Sequence, residues 1–352
     1  MSQVRGHIEE GEAFRALGAH PKEAQVMRPL LKIVGVLLAL LVVVVGCVLA
    51  WAGMATNRLR AQSFTTHSVE FPIPFPIDPA EVAALKLTPD AARQLAQEHA
   101  VARGKHLIAS RYSCTTCHGA NFAGGVMVDQ FPLGSFLGPN LTLGAGSRTT
   151  NFQPRDWDRI VRHSVLPDGH PAVMPSVDFQ HMSDQELSDI VSYIRSLPPV
   201  DHTVPGSSFG PLGKILAATG KMRFSASLIA SHDTPHPVYP PAEAANAEFG
   251  KHLAAICSGC HGADLSGGPI AGGDPSWPAA RNLTPDATGL KGWTYAQFNA
   301  ALTRGRRPDG TELRTPMKEM AVSGKSMTDV ERQGLWAYLQ TLPPVSKAAL
   351  KP

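Results

Sequence analysis

The stretch Cys114-Thr115-Thr116-Cys117-His118 decides the fold class, and it recurs as Cys257-Ser258-Gly259-Cys260-His261. Two cysteines that flank two residues bring both thiols to one porphyrin edge, and the histidine that follows reaches the iron from one face. The repeated pattern predicts covalent attachment of two haem c groups. A zinc site or a thioredoxin-like CxxC is the alternative. However, the two pairs lie about 140 residues apart, against roughly 15–20 in a zinc ribbon, and neither alternative explains the histidine after both pairs.

An apolar run near the N-terminus predicts a membrane anchor. Residues 33–54, IVGVLLALLVVVVGCVLAWAGM, contain no charged side chain, and about 20 such residues cross a bilayer as a helix. The run exceeds the roughly 7–15 residues of a secretory signal core, which favours an uncleaved anchor. Cleavage at Ala50-Trp51-Ala52 and lipidation of Cys47 stay open as alternatives. Because haem c is attached after export, the haem domains are expected in the periplasm.

The rest of the chain is a duplication, and matched segments in the two halves show it. The pairs are Gly104-Lys105-His106-Leu107 with Gly250-Lys251-His252-Leu253, Asn140-Leu141-Thr142 with Asn282-Leu283-Thr284, Pro167-Asp168-Gly169 with Pro308-Asp309-Gly310, and Leu197-Pro198-Pro199-Val200 with Leu342-Pro343-Pro344-Val345. Self-similarity at this period indicates two copies of one domain. The expected boundaries are 1–32 (cytoplasmic arm), 33–54 (transmembrane anchor), 55–87 (proline-rich spacer), 88–200 (first haem domain), 201–241 (a linker packing on both domains) and 242–347 (second haem domain).

Each copy is predicted to be helical, so the fold class is all-α, with two tandem helical haem domains after an N-terminal transmembrane helix. Ser183-Asp184-Gln185-Glu186 and Thr328-Asp329-Val330-Glu331 are capping boxes that start a closing helix in each copy. Apolar residues recur behind them at helical spacing. They are Leu187, Ile190, Val191 and Ile194 in the first copy, and Leu335, Leu339 and Leu342 in the second. An earlier helix in each copy carries Trp157, Ile160 and Val161, or Phe298, Ala301 and Leu302, on one face.

Two methionines are candidates for the sixth iron ligand. Met174 lies 60 residues after Cys114, and Met317 lies 60 residues after Cys257. Each adjoins a proline soon after the Pro-Asp-Gly turn, where a loop is expected. A buried gap-filling methionine is the alternative for both, and Met320 competes with Met317 in the second copy. Met182 and Met327, just before the capping boxes, are predicted to pack in the core.

Other features give weaker predictions. The formal charge of +3 is nearly balanced and shows no basic stripe, so nucleic-acid binding is excluded as a function class. Arg281, His163 and Arg304 could each pair with a haem propionate, although a solvated surface charge is the expected role of each. The linker carries His202, His232 and His236, to which no role is assigned.

With these motifs in place, the chain resembles a membrane-anchored dihaem class I cytochrome c. The CxxCH motifs, the Asn-Leu-Thr segments, the late methionine beside proline and the closing Leu-Pro-Pro-Val are similar to the haem domains in cytochrome subunits of bacterial alcohol, aldehyde and gluconate dehydrogenases. The resemblance covers about residues 88–345. It implies thioether links at Cys114, Cys117, Cys257 and Cys260, proximal ligands His118 and His261, and distal ligands Met174 and Met317. Those subunits carry three haem motifs, whereas this chain carries two and has its anchor at the N-terminus.

The expected function is electron transfer rather than catalysis. A haem with histidine and thioether ligands has a raised potential and no open coordination position. Electrons would come from a periplasmic dehydrogenase or a membrane quinol and pass to a terminal oxidase or a soluble cytochrome, at the outer face of the bacterial cytoplasmic membrane. The alternatives are a dihaem peroxidase with one open haem and a haem subunit of a larger oxidase.

Overall fold

The computed structural model describes residues 21–270, 273–274 and 276–347, with side chains described from residue 29 onward. The α-helices are α1 (Pro21–Arg60), α2 (Pro79–Ala84), α3 (Pro89–Leu107), α4 (Thr115–His118), α5 (Pro154–His163), α6 (Asp184–Ser196), α7 (Pro211–Ala218), α8 (Ala247–Ala254), α9 (Ser258–His261), α10 (Tyr295–Arg304), α11 (Met317–Ser326) and α12 (Asp329–Thr341). Single helical turns cover Ile108–Tyr112, Ser176–Asp178, Ser225–Ser227 and Ala255–Cys257. The all-α prediction is confirmed.

The N-terminal helix α1 contains the predicted anchor and extends beyond it. Its segment Pro29–Arg60 has a mean hydropathy of 3.2 over its most apolar window, and none of that window is buried. At about 1.5 Å per residue, this segment is longer than the roughly 30 Å hydrocarbon core of a bilayer. The described chain divides after Trp51 into two compact units, and both haem-motif copies lie in the second.

In each copy, one early helix packs directly against the closing helix, α3 on α6 and α8 on α12. Gly104 and Gly250 lie at these two crossings. A Cβ atom at Gly104 would lie 2.0 Å from the carbonyl oxygen of Asp189, and one at Gly250 would lie 1.9 Å from that of Gly334. Because these distances are shorter than any van der Waals contact, only glycine allows the two helix backbones to approach so closely. This explains the glycine in the repeated Gly-Lys-His-Leu segments.

The closing helices begin at the predicted residues. Ser183 accepts a hydrogen bond from the Glu186 amide, and the Glu186 carboxylate accepts one from the Ser183 amide. Thr328 and Glu331 make the same reciprocal pair at α12. These bonds satisfy amides that have no partner within the helix. The helices end at Ser196 and Thr341, just before the paired prolines.

The predicted apolar faces form two cores, one in each copy. Met182 is buried in the first core, and Met327 packs against the second, as expected. The first core contains Tyr112, Phe122, Trp157, Leu187, Ile190, Val191 and Ile194 among others. The second contains Phe249, Leu253, Leu265, Leu290, Phe298, Leu335 and Leu339 among others.

A small antiparallel sheet, which the sequence patterns did not predict, lies between α4 and the linker. Its strands are β1 (Gly125–Gln130), β2 (Gly134–Gly138) and β3 (Ser208–Phe209), in the order β1-β2-β3. β3 belongs to the linker, so the linker is hydrogen-bonded to the first haem domain. Further bonds join the Asp184 amide to Pro237 and the His202 amide to Ala145. Contact of the linker with the second domain stays a prediction.

Candidate functional site

The two CxxCH motifs adopt the same local structure. In each, a four-residue helix, α4 or α9, runs from just after the first cysteine to the histidine and ends at a glycine with positive φ. All five cysteines of the chain are free, so no disulfide competes for the four motif thiols. Burial raises the pKa of Cys114 to about 12 and that of Cys257 to about 11. Both cysteines are half-buried, so their thiols are partly shielded from water.

The motif histidines are oriented by hydrogen bonds to the backbone. His118 Nδ1 lies 3.0 Å from the carbonyl oxygen of Pro139, and His261 Nδ1 lies 2.7 Å from that of Arg281. A carbonyl oxygen only accepts, so Nδ1 carries the proton and Nε2 keeps its lone pair. Burial lowers the pKa of both histidines, which keeps them neutral. A neutral imidazole with Nδ1 bonded and Nε2 available is the form in which histidine binds haem iron, so these residues fit the group.

The repeated Asn-Leu-Thr segment fixes the loop that supplies these carbonyl groups. Asn140 donates to the carbonyl oxygens of Val200 (2.8 Å) and His202 (3.0 Å) and accepts from the amide and the hydroxyl of Thr142. Asn282 accepts from the amide and the hydroxyl of Thr284 and donates to Val345. The asparagine thus joins the loop after the motif to the segment after the closing helix.

Replacing Asn140 with alanine is expected to lower the free energy of unfolding by about 2–3 kcal/mol, because buried carbonyl and amide groups lose their partners. The measurement is denaturant unfolding of the haem-loaded protein. The control is Asn121→Ala, since exposed Asn121 accepts one hydrogen bond, from the Ala123 amide. Equal losses in the two variants would contradict the role given to Asn140.

Met174 lies in a loop, as predicted, and its side chain is half-buried. The Ser164 hydroxyl donates to the Met174 carbonyl oxygen at 3.1 Å, and the Ser176 amide donates to it at 2.9 Å. In the second copy the prediction of a loop is wrong, because Met317 is the first residue of α11. The Pro316-Met317 order explains the difference, since proline is well placed just before a helix and not within it. Met320 lies on the same helix and is 40% exposed.

The two copies contact each other through a nearly symmetric set of charged residues. His106 of the first copy lies 2.9 Å from Glu331 of the second, and His252 of the second lies 2.8 Å from Glu186 of the first. Between them, Arg111 contacts Glu186 at 2.6 Å and Glu331 at 3.2 Å. The two glutamates are those of the capping boxes, and the two histidines are those of the Gly-Lys-His-Leu segments.

The segments around the haem motifs also meet across this interface. The turn Ser176–Asp178, two residues after Met174, contacts α9 of the second motif. In the reverse direction, α11, which begins at Met317, contacts the turn Ile108–Tyr112 that precedes the first motif. The hydroxyls of Ser113 and Ser323 lie 3.1 Å apart at this second contact. Each copy therefore places its methionine segment beside the attachment segment of the other.

The interface carboxylate Glu186 predicts a stability that depends on pH. Burial opposes its ionisation, but the His252 hydrogen bond and the Arg111 charge outweigh burial and lower its pKa from 4.5 to about 2. A lowered folded pKa contributes stability that is present above pH 4.5 and lost as the pH falls toward 2. Over this window the wild-type free energy of unfolding should fall by up to about 3 kcal/mol more than that of Glu186→Gln.

The test of the Glu186 prediction is denaturant unfolding at several pH values between 7 and about 2. Glu98→Gln, at an exposed position on α3, is the control and should retain the wild-type slope. Parallel wild-type and Glu186→Gln curves below pH 4.5 would show that Glu186 is not the group responsible.

Of the weaker candidates, Arg281 and Arg304 are exposed, as expected. The expectation for His163 is wrong: its side chain is 1% exposed and lies among other histidines instead of in solvent. His67 of the spacer and Asp158 of α5 belong to the same cluster, and no sequence pattern indicated either residue. Their only sequence signal was the presence of several histidines in segments with no assigned role.

Comparison with known proteins identifies the family. The protein-family model described as "Cytochrome c" matches residues 101–198 and 247–343, which together make up more than half of the chain. The chain belongs to the cytochrome c family. It is a dihaem cytochrome c, and it carries two covalently bound haem c groups.

Several curated proteins resemble this cytochrome c along much of its length. It is 28% identical over 288 residues to the alcohol dehydrogenase (quinone), cytochrome c subunit of Gluconacetobacter polyoxogenes; the match covers 74% of this chain and 59% of that subunit. It is 24% identical over 258 residues to a dihaem c-type cytochrome of Cereibacter sphaeroides, covering 66% and 82% of the two chains. A shorter match, 36% over 95 residues, is to the fructose dehydrogenase cytochrome subunit of Gluconobacter japonicus, covering 25% and 19%. The chain is thus a cytochrome c related to dehydrogenase cytochrome subunits, and it spans 59% of the length of the alcohol dehydrogenase subunit.

Proposed function

We propose that each motif holds one haem c through its own residues. Cys114 and Cys117 form the thioether links of the first haem, with His118 and Met174 as axial ligands. Cys257, Cys260, His261 and Met317 take the same roles in the second. The support is that the two motifs share one backbone conformation and that each histidine is bonded through Nδ1 to a carbonyl oxygen.

Haem c supplies a reversible one-electron change at iron. The chain's own residues set the conditions for it. The Pro139 and Arg281 carbonyl groups fix the tautomer and the orientation of the two histidine rings. The apolar residues Phe122 and Leu265, both buried, follow the motifs at matching positions and exclude water. This arrangement suits electron transfer, which needs little rearrangement at the metal.

The observation that carries the proposed function is the contact between the two copies. Each methionine segment packs against the attachment segment of the other copy, and buried ion pairs of Arg111 join the domains. We therefore propose that the two haems exchange electrons within the protein, so that one receives electrons from a donor and the other delivers them to an acceptor.

The proposed donor is a periplasmic dehydrogenase, because relatives of the chain are named as dehydrogenase cytochrome subunits. The proposed acceptor is a terminal oxidase or a soluble cytochrome. The helix α1 would hold the protein in the bacterial cytoplasmic membrane, with both haem domains in the periplasm. Its length and composition are the support for this placement.

Membranes from the native host test the donor. Ethanol, gluconate or fructose is added to aerobic membranes that are then made anaerobic, and reduction of c-type haem is followed in the visible spectrum. The same membranes from a strain lacking this chain are the control. Reduction by one of these substrates that is lost with the chain supports a dehydrogenase donor. If instead the haem is reduced only when a quinol is added, and at the same rate with and without the substrates, the donor is a quinol and not a dehydrogenase.

Carbon monoxide binding tests the electron-carrier function itself. The reduced, haem-loaded protein should show no carbon monoxide shift in either haem, because both irons carry a sixth ligand. A shift in half of the haem would identify one open site. In that case the second haem is the one to examine first, because Met317 lies on a helix. The peroxidase function would then replace the electron-carrier function.

A further inference from the structure

A buried cluster of three histidines and one aspartate lies where the spacer and the linker meet α5. It consists of His67 of the spacer, Asp158 and His163 of α5, and His236 of the linker. One nitrogen or oxygen atom from each of the four side chains lies within 4.8 Å of those of the other three. The side chains of Asp158, His163 and His236 are 0%, 1% and 10% exposed. So many polar groups leave water together only when something compensates for the lost hydration.

Hydrogen bonds at the outer edge of the cluster fix two of the imidazole tautomers. His67 Nδ1 lies 3.1 Å from the carbonyl oxygen of His232, so Nδ1 donates and Nε2 keeps its lone pair. The ring of His232 donates through Nε2 to the Ala226 carbonyl oxygen at 3.0 Å, which leaves its Nδ1 as an acceptor. His163 Nδ1, 3.0 Å away, must therefore donate to it, and His163 Nε2 keeps its lone pair. The Nε2 lone pairs of His67 and His163 can thus both act as acceptors toward a ligand.

Hydrogen bonding within the cluster does not satisfy all of its atoms. His163 Nε2 and His236 Nε2 lie 3.1 Å apart, and a proton on His236 could join them. His67 Nε2 and Asp158 Oδ2 are still buried, with no hydrogen-bond partner among the residues that the structure describes. Asp158 Oδ1, by contrast, accepts from Arg162 Nε at 2.7 Å. A cation at the centre would bind one atom of each of the four side chains, whereas a proton shared by His163 and His236 satisfies only those two.

We propose that His67, Asp158, His163 and His236 bind a zinc ion. Imidazole nitrogen and carboxylate oxygen are both ligands of Zn²⁺, at about 2.0–2.2 Å. Tetrahedral geometry at that distance separates neighbouring ligand atoms by about 3.3 Å, close to the 3.1 Å between the Nε2 atoms of His163 and His236. The wider pairs would approach through small side-chain rotations. Four protein ligands complete the coordination, which is typical of a structural site and not of a catalytic one.

The surroundings of the cluster suit a divalent cation. Arg162 contacts Asp158 Oδ1 at 2.6 Å and Asp184 Oδ1 at 2.8 Å, so two carboxylates face one guanidinium. These contacts hold Asp158 by one oxygen and leave the other toward the imidazoles, the kind of outer support that metal ligands need. Burial, neighbouring histidines and Arg162 lower the pKa of His163 and of His236 to about 3, which keeps both rings in the neutral form that binds metals.

The ion would join three segments that are far apart in the sequence: the spacer, α5 and the linker. It would hold both the spacer, which follows α1, and the linker, which leads to the second copy, against the first haem domain. Ser164, the residue after His163, donates to the Met174 carbonyl oxygen. The site thus also supports the loop that carries Met174.

The test uses the full, haem-loaded chain in detergent, dialysed against a chelator and then titrated with Zn²⁺ alone. Elemental analysis should find one zinc per two haem irons after removal of loosely bound metal. X-ray absorption at the zinc edge should show about three imidazole ligands and one further oxygen. The temperature midpoint of unfolding should rise with zinc concentration, because the ion binds only the folded site.

Variants separate this site from surface histidines. His236→Ala should weaken zinc binding by more than about 100-fold, and His232→Ala, which removes the partner of His163 Nδ1, by about 10–100-fold. His170→Ala is the control, since that ring contacts the Gln62 carbonyl oxygen outside the cluster, and it should bind zinc as the wild type does. Should His236→Ala fail to fold, as judged by its haem spectrum, His67→Gln replaces it with the same expectation.

Two results would overturn the proposal. One is a haem-loaded wild-type chain that takes up no zinc, or takes up Cu²⁺ but not Zn²⁺. The other is zinc binding that survives both His236→Ala and His67→Gln at wild-type affinity. Neither result bears on the electron-transfer function, because the cluster contains none of the proposed haem ligands.

Discussion

Replacing Met174 with alanine is expected to make half of the reduced haem bind carbon monoxide and to lower the midpoint potential of that haem. Loss of the thioether opens the sixth position, and thioether ligation raises the potential of a histidine-ligated haem. The expected shift is on the order of 0.1–0.3 V, within the about 0.8 V that axial ligands can span. A redox titration of the two haems and a carbon monoxide difference spectrum measure the two effects.

Met127→Ala is the control for Met174→Ala, because Met127 lies on β1 and is 43% exposed. It should change neither the potential nor carbon monoxide binding. An unchanged titration of Met174→Ala would reject Met174 as the ligand. Met317→Ala and Met320→Ala, measured separately, decide between the two candidates of the second copy, and the half-buried side chain of Met317 favours that residue.

Replacing Arg111 with leucine is expected to lower the free energy of unfolding by about 3–5 kcal/mol. The Arg111 side chain is 7% exposed and its partners Glu186 and Glu331 are 4% exposed. Removing the cation leaves two buried carboxylates at the domain interface, which keep a histidine and their capping-box partners but lose the guanidinium charge. Denaturant unfolding of the haem-loaded chain at neutral pH measures the loss.

The control for Arg111→Leu is Arg93→Leu on α3. Arg93 pairs with Asp90, but the two side chains are 73% and 88% exposed, and exposed ion pairs contribute little. We expect the free energy of unfolding of Arg93→Leu to match that of the wild type. If Arg111→Leu and Arg93→Leu were equally stable, the Arg111 ion pairs would not hold the two copies together.

The features that the sequence predicted are those encoded within a few consecutive residues. The CxxCH spacing defines haem attachment because both thiols and the imidazole must meet one porphyrin. The capping boxes at Ser183 and Thr328 define helix starts because the hydroxyl and the carboxylate satisfy amides three residues away. The apolar run 33–54 suits a membrane helix by its length and its lack of charged side chains. The duplication was equally evident, since matched motifs recur in both halves.

Other features depended on where distant residues meet. Gly104 was recognised as part of a repeat, but the reason for the glycine is the backbone of α6, which a Cβ atom would contact. The prediction of a loop at Met317 was wrong because proline at the preceding position starts a helix as readily as it ends one. Strand β3 pairs with β2 although the two lie some 70 residues apart in the sequence, and no local pattern predicts a strand of two residues.

What the sequence by itself determined is therefore the family, the two haem c groups, the helical class and the long apolar helix near the N-terminus. Only the tertiary structure showed that Arg111 joins Glu186 to Glu331, and that His67, Asp158, His163 and His236 converge in one buried cluster. The physical reason is that ion pairs and metal-ligand sets are made by side chains that approach through space. Their partners lie up to about 220 residues apart, so their positions follow from the path of the folded chain.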